Sequence, residues 1–588
     1  MNLFLLICIS LCLSVNGNVY LRFITMYLKK QTIDMMDAVG VETECAKQMQ
    51  LLQSNLNGNK EWSMYMLDAT GKLESGVLEG NIMMMGNYEE CLKINESVNG
   101  SSIKGQFCVT FITPTPNTLQ CVKNKTTKLP HAVFVNDFIN YLEPTWGVCT
   151  MEACSSNQLQ KLWDLIENRY QIKFHVTFKN ESCSSKETNR NLTVPDYVAI
   201  CVFSVLLAVL LTSTMYDIFI FQKKKDRSFN VWMSFSLYTN AKRLFSTKHT
   251  DEFNLTCIYG IRVILMMWIV LGHSYLTYLY LFAVNNIELL RWATEEKSMF
   301  IFGAISGVDS YFVISGCLIV YVTAIAREQG NSINLLVFYG HRFLRLTPAL
   351  AAIVLISSGP LTYFGSGPYW YRIQAGFVDE CVKTWWPTLT YIQNYYYNNT
   401  AGCVPHTWYL AVDTQLYLIS PIIYVFLHKS PRIALSLIVL LIALSIASNI
   451  HTTIYYNMDR LASKTLYDYF YYIYRPTHLR AGPWLAGTIL GHLLFTYKKR
   501  QVLIKKSYVV LLWTTSLVLM LSICYAYVVI VKNEFSLTLA CLFNGFSRTA
   551  WGVCTCWIIF ACTHGYGEVL QVGFIYFCHR DSFAFYPA

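Results

Sequence analysis

Runs of about 20 apolar residues recur through the last two-thirds of this chain, and each is long enough to cross the roughly 30 Å hydrocarbon core of a bilayer as a helix. They exclude a soluble enzyme. Of 588 residues 54% are hydrophobic and 14% charged, which is more apolar surface than one water-soluble core can hide. Nine spans are expected, near 195–221, 257–282, 299–325, 346–366, 406–428, 433–450, 481–497, 508–531 and 537–562. The net charge of +10 would suggest a nucleic-acid partner in a soluble chain. In a membrane chain it records Lys and Arg held on the cytoplasmic side, and no nucleic-acid partner is expected.

The residues ahead of the first span read differently. Met1 to Gly17 form a short apolar stretch ending in small residues, expected to be a cleaved signal peptide. Residues 18–194 are polar and mixed in charge, and carry Cys45, Cys91, Cys108, Cys121, Cys149, Cys154 and Cys183 together with sequons at Asn95, Asn99, Asn124, Asn180 and Asn191. That combination predicts a small, disulfide-containing, mostly helical domain in an oxidising lumenal or extracellular space. Seven cysteines leave one unpaired after three bridges, and their connectivity stays open. Cys381 and Cys403, beside a sequon at Asn398 in a later loop, make a further candidate bridge.

Orientation follows from the basic residues. Lys223, Lys224, Lys225 and Arg227 close the first span and begin a basic segment, 222–256, that mixes cations with aromatic residues and is expected to lie against anionic lipid. Counting onward, the inner segments carry 17 Lys and Arg and the outer loops nine, as the positive-inside rule requires. The sequon at Asn254 falls on the inner side. The protein is therefore expected to be integral to the plasma membrane or the endoplasmic reticulum, with its N-terminal domain outside or in the lumen.

Ionisable side chains inside spans are costly and point to function. In GIRVILMMWIVLGHSYL the pair Arg262 and His273 lie eleven residues apart, on one helix face and about 16 Å from each other along the axis. Asp309, in SGVDSYFVISGCL, and Asp413, in HTWYLAVDTQLY, are expected at a depth similar to that of His273. A carboxylate accepting from one imidazole nitrogen raises the basicity of the other, as a general base needs, and either aspartate fits that role. Arg342 and Arg345, in GHRFLRLTPAL, share a helix face at the cytoplasmic end of their span. With Arg262 they form three guanidiniums able to grip a phosphorylated ligand bidentately. Arg548, Arg475 and Arg480 are further cations in or near the spans without an assigned role. No metal-ligand cluster, nucleophile elbow or phosphate-binding glycine loop stands out.

These residues resemble the membrane-bound acyltransferase family 3, in its animal branch called nose resistant to fluoxetine. The likeness rests on Asp68-Ala69-Thr70-Gly71-Lys72 and Gly86-Asn87-Tyr88-Glu89-Glu90-Cys91 ahead of the spans. Within them it rests on Arg262 with ten residues before His273, Tyr311-Phe312-Val313-Ile314-Ser315-Gly316, Arg342 with Arg345, and Trp408-Tyr409-Leu410-Ala411-Val412-Asp413. The resemblance implies an acyltransferase domain over 257–562. It implies acyl transfer from a cytoplasmic acyl-coenzyme A, a co-substrate with no bound cofactor, to a hydroxyl of a lipid, glycan or small molecule. Arg262, Arg342 and Arg345 would hold the donor, His273 with Asp309 or Asp413 would act as base, and Ser315 would position the acyl carbonyl or permit close helix packing. Bacterial members commonly carry glutamate where Asp413 stands. The tail, 563–588, departs from the family pattern, which calls for about two further spans. A carrier of lipids or apolar small molecules, and a receptor built on the cysteine-rich domain, are the rival functions.

Overall fold

The structure, a computed structural model, describes residues 43–567 apart from 115–143, 187–191, 224–230, 247–254, 281–283, 397–401, 459–465, 532–535 and the single positions 59, 73, 77, 78, 80, 171, 173, 294, 333, 499 and 501. The expected signal peptide, Cys121, the sequons at Asn124, Asn191, Asn254 and Asn398, the cations Lys224, Lys225 and Arg227, and the tail from 568 lie outside the described residues. The chain separates into two compact units. One comprises Met1–Asn191 with Thr277–Thr294 and Thr362–Gly376, and the other comprises Leu192–Leu276, Glu295–Leu361 and Phe377–Ala588.

The first unit contains helices α1 (Thr43–Asn57), α2 (Glu61–Ala69), α3 (Tyr88–Lys93) and α4 (Ser156–Tyr170), as a mostly helical domain should. They are organised, however, on a six-stranded sheet that the sequence did not announce. Strand β3 (Ser101–Pro114) is its spine. It pairs antiparallel with β2 (Asn95–Val98), β4 (Thr145–Met151), β5 (Phe174–Thr177) and β6 (Cys183–Ser185), while β1 (Met83–Met84) joins β4 in parallel. β4 is buried at every position, so it lacks the apolar-polar alternation that reveals a half-exposed strand. Helix α4 places Leu159, Leu162, Trp163 and Ile166 on one stripe, and Trp163 meets Trp146 of β4 with ring centroids 5.7 Å apart.

Three disulfides staple this unit. Cys45–Cys154 ties α1 to the residues after β4, Cys91–Cys149 ties α3 to β4, and Cys108–Cys183 ties β3 to β6. The sequon asparagines Asn95, Asn99 and Asn180 are exposed. The segment Thr362–Gly376 contributes Tyr369, whose hydroxyl lies 2.8 Å from Thr145 Oγ1 and 3.0 Å from Met85 Sδ. Burial pushes the Tyr369 phenol up to about 12.

The second unit is helical: α5 (Val194–Phe219), α6 (Leu237–Leu244), α7 (Cys257–Tyr280, whose last residues count with the first unit), α8 (Met299–Glu328), α9 (Leu335–Ser357), α10 (Trp408–Lys429), α11 (Pro431–Tyr455), α12 (Thr477–Tyr497), α13 (Lys506–Val531) and α14 (Leu537–Thr563). Long helices stand wherever a span is expected, but among the described residues six are long and apolar enough to cross a membrane: Val194–Lys223, Cys257–Leu276, Glu296–Glu328, Pro405–Lys429, Pro431–Tyr455 and Lys506–Ile530. The count of nine is therefore not established. The shortfall falls on α9, α12 and α14, which carry Arg342 and Arg345, Arg480 and His492, and Asn544 and Arg548. Their polar groups lower the hydropathy of the helix, and Arg480, Asn544 and Arg548 among them are buried in the interior of the unit.

Helices α8 and α12 pack backbone to backbone. A Cβ on Gly316 would sit 2.2 Å from the Trp484 carbonyl oxygen, and one on Gly487 would sit 2.2 Å from the Val313 oxygen. Small residues at such a crossing are how membrane helices gain contact where lipid offers no hydrophobic drive. A disulfide, Cys381–Cys403, closes the loop ahead of α10, so eight of the nine cysteines named above are paired, the ninth, Cys121, lying outside the described residues.

Candidate functional site

Helices α9 and α10 run antiparallel, with Tyr339 Oη donating to the Leu418 carbonyl at 2.8 Å and Tyr417 Oη donating to the Phe338 carbonyl at 3.1 Å. That register sets Arg342 abreast of Asp413, only five residues into α10. The Arg342 guanidinium donates to Asp413 Oδ2 and lies 4.2 Å over the Tyr417 ring. The other carboxylate oxygen of Asp413 accepts from Ser315 Oγ at 2.5 Å. Ser315 is thus turned toward Asp413, and the close packing of helices belongs to its neighbour Gly316.

Arg262 and Arg345 join this layer. They are electrostatic neighbours of one another, and the phenols of Tyr409, Tyr259 and Tyr311 surround Arg262. Tyr311 Oη donates to the Arg262 carbonyl at 2.7 Å. The Tyr409 ring lies tilted against that of Phe312, centroids 4.8 Å apart, and neighbours both Asp413 and Arg342. Three guanidiniums and one carboxylate, of which Arg342 alone bonds Asp413, leave a net positive layer. Within it the buried Arg342 Nε has no hydrogen-bond partner among the described residues, and an unpaired buried donor is unfavourable unless a ligand meets it.

His273 lies about 16 Å further along α7. It is exposed and close enough to His406 for the two imidazoles to interact electrostatically. Neither aspartate serves it through the hydrogen bonds they make. Asp309 stands about 200° around α8 from Gly307, and Gly307 packs on Ile269 of α7, so the carboxylate faces the opposite side. There its Oδ1 accepts from Arg480 Nη1 at 2.7 Å, with both side chains almost wholly buried. Arg480 Nε donates to the Tyr474 carbonyl at 2.7 Å, and Arg548 Nη1 beside it donates to the Ile473 carbonyl at 2.8 Å.

Of the expected site residues, the structure thus gathers Arg262, Arg342, Arg345, Ser315 and Asp413. It sets His273 above them and sends Asp309 into a separate network. Sequence reasoning missed Tyr409, His406 and the Asp309–Arg480 pair. Arg480, one turn into α12, was legible as an intramembrane cation needing a partner. Outside the helical unit, Asp164 and Glu167 of α4 and His175 of β5 bring ligand-type atoms within 4.8 Å of one another. Within this cluster His175 Nδ1 lies 2.7 Å from Glu167 Oε2, and Asp164 Oδ1 accepts from Gln160 Nε2 at 2.7 Å.

Residues 255–586 match the acyltransferase domain of acyltransferase family 3, and residues 45–163 match the N-terminal domain of nose resistant-to-fluoxetine proteins. The chain belongs to acyltransferase family 3. It is similar to "Nose resistant to fluoxetine protein 6" of Caenorhabditis elegans, 25% identical over 570 residues that cover 86% of this chain and 68% of the relative. It is also similar to "Regulator of hypoxia-inducible factor 1" of the same organism, 24% identical over 46% of this chain and 56% of the relative. "O-acetyltransferase OatA" of Staphylococcus aureus is 34% identical over 178 residues, 29% of this chain and 28% of the relative. No solved structure matches. This acyltransferase-family chain is an integral membrane protein in which the family match spans both the arginine layer and His273.

Proposed function

We propose that this chain is a membrane O-acyltransferase that moves an acyl group from a cytoplasmic acyl-coenzyme A to a hydroxyl of a lipid, glycan or small molecule at the membrane or its lumenal side. The observation that carries the proposal is the arginine layer. Arg342 is held by Asp413 with a donor left over, Arg262 and Arg345 stand beside it, and His273 rises from the same helix as Arg262. A carrier of neutral lipids has no use for such an anion site, whereas the phosphates of a nucleotide thioester need one. The name of the O-acetyltransferase relative supports transfer to oxygen.

In this proposal His273 takes the proton of the acceptor hydroxyl as its oxygen attacks the thioester carbonyl. The tetrahedral intermediate collapses, the carbon–sulfur bond breaks, and the departing thiolate recovers the proton from the imidazolium. Such base catalysis contributes typically 10²–10⁴ in rate. Asp413 acts on the donor side by holding Arg342, Ser315 orients Asp413, and His406 is the imidazole neighbour of His273. The N-terminal domain, with its disulfides and exposed sequons, faces the lumen or the exterior in the same scheme.

Membranes containing the protein are supplied with radiolabelled acyl-coenzyme A and extracted lipids or glycans. Labelled product that falls at least a hundredfold in His273→Ala is the expected result. Product undiminished in that variant overturns the base assignment. Absence of product from the unaltered protein, together with uptake of a labelled lipid, overturns acyl transfer in favour of a carrier.

A further inference from the structure

Helix α5 spans 26 residues, about 39 Å at 1.5 Å per residue, so its last turns lie beyond a hydrocarbon core of roughly 30 Å, at the level of the headgroups. There Asp217 is fully buried. Its carboxylate accepts from Ser236 Oγ at 2.5 Å, Thr239 Oγ1 at 2.6 Å and Gln222 Nε2 at 2.8 Å. Ser236 is the N-cap of α6, and the Leu237 amide donates to Thr214 Oγ1 at 3.0 Å. A buried carboxylate costs several kcal/mol unless it is satisfied, and satisfying it fixes α6 against the end of α5. The gap between the two helices is therefore built into the fold.

That gap is an open groove of about 550 Å³ running along the helix pair. Thr214 and Ile218 of α5 form one wall, and Leu237, Ala241 and Phe245 form the other with Lys242 as the charged group among its lining residues. Leu237 and Phe245 are 58% and 74% exposed, which no aqueous surface favours. Arg243 follows Lys242 on the outside of α6. Apolar walls at headgroup depth with a cationic rim match a hydrocarbon chain attached to an anion.

We propose that this groove seats an acyl chain of an anionic phospholipid, with Lys242 at the headgroup phosphate, so that α6 docks the start of the helical unit to anionic membrane. The site lies apart from the arginine layer and is independent of the transfer chemistry.

The test uses the full chain in vesicles of phosphatidylcholine, with or without phosphatidylserine, carrying either a photo-crosslinkable phosphatidylserine or a photo-crosslinkable phosphatidylcholine. Crosslinks are read on peptides covering 231–245 and normalised to those on α13. Enrichment over α13 in the unaltered protein is expected, with a fall of at least about fivefold in Lys242→Glu, the effect of one basic residue near an anionic surface. Ala241→Trp, which fills the groove, is expected to lower crosslinking from phosphatidylserine and phosphatidylcholine probes alike. Equal crosslinking of the two segments in the unaltered protein overturns the site. Crosslinking unchanged by Lys242→Glu overturns its preference for anionic lipid, and crosslinking unchanged by Ala241→Trp overturns the groove as the seat.

Discussion

Replacing Asp309 by Asn decides whether that residue is structural or chemical. Asp309 and Arg480 meet at 2.7 Å with side chains 3% and 1% exposed, and Arg548 stands close by. The wild-type cluster holds two guanidiniums against one carboxylate, and the substitution leaves both uncompensated while one guanidinium nitrogen, Arg480 Nη2, is already without a hydrogen-bond partner among the described residues. Removing one partner of a buried pair costs about 3–5 kcal/mol, mostly the desolvation of the charge left behind. At roughly 2–4 °C per kcal/mol for a large domain, the melting temperature should fall by about 10 °C. The assay is thermal unfolding of the purified protein in detergent, followed by size exclusion. Replacing both residues with apolar ones, Asp309→Leu with Arg480→Met, should restore part of the loss, because Arg480 then no longer stands unpaired, while Arg548 keeps its hydrogen bonds to Asn449 Oδ1 and the Ile473 carbonyl. A variant Asp309→Asn that melts within 2 °C of the wild type yet transfers no acyl group would refute this account and return Asp309 to the reacting centre.

Four further outcomes are expected. Asp413→Asn keeps the shape of the site but removes the charge that fixes Arg342, so kcat/KM for the acyl donor should fall at least about tenfold, with a smaller loss of melting temperature than in Asp309→Asn because this pair is 17% and 11% exposed; steady-state kinetics against donor concentration checks it. Gly487→Ala places a methyl against the Val313 carbonyl and should cost about 1–3 kcal/mol, whereas Gly340→Ala, which meets nothing within 4 Å, should be neutral or slightly stabilising in the same melt. Losing Cys108–Cys183, which closes a 75-residue separation, should destabilise the first unit by about 4 kcal/mol, read as faster proteolysis between α1 and β6. Tyr369 ionises more readily unfolded than folded, so its burial stabilises the first unit fully below pH 10, and that contribution is lost as pH rises toward about 12; Tyr369→Phe should remove that alkaline loss from the pH dependence of unfolding.

The membrane character, the separate cysteine-rich domain and the Arg262 to His273 spacing were all legible in the sequence, because each depends on composition or on the geometry of one helix. The cysteines announced bridges by their number and setting, while the pairing of Cys91 with Cys149 rather than with Cys108 needed the fold of β3 against β4. Strand β4 escaped notice because burial on both faces erases its alternation. Which aspartate meets which cation depended on helix rotation and register. Asp309 turns away from α7 because Gly307 takes the contact there, and Arg342 reaches Asp413 because Tyr339 and Tyr417 set α9 against α10. Sequence alone determined that ionisable groups of both signs lie in the bilayer and that an imidazole shares a face with a guanidinium. Only the tertiary structure decided their partners, since a buried charge is paid for by whichever opposite charge the packing of separate helices brings within about 3 Å, and that proximity is written in no single segment.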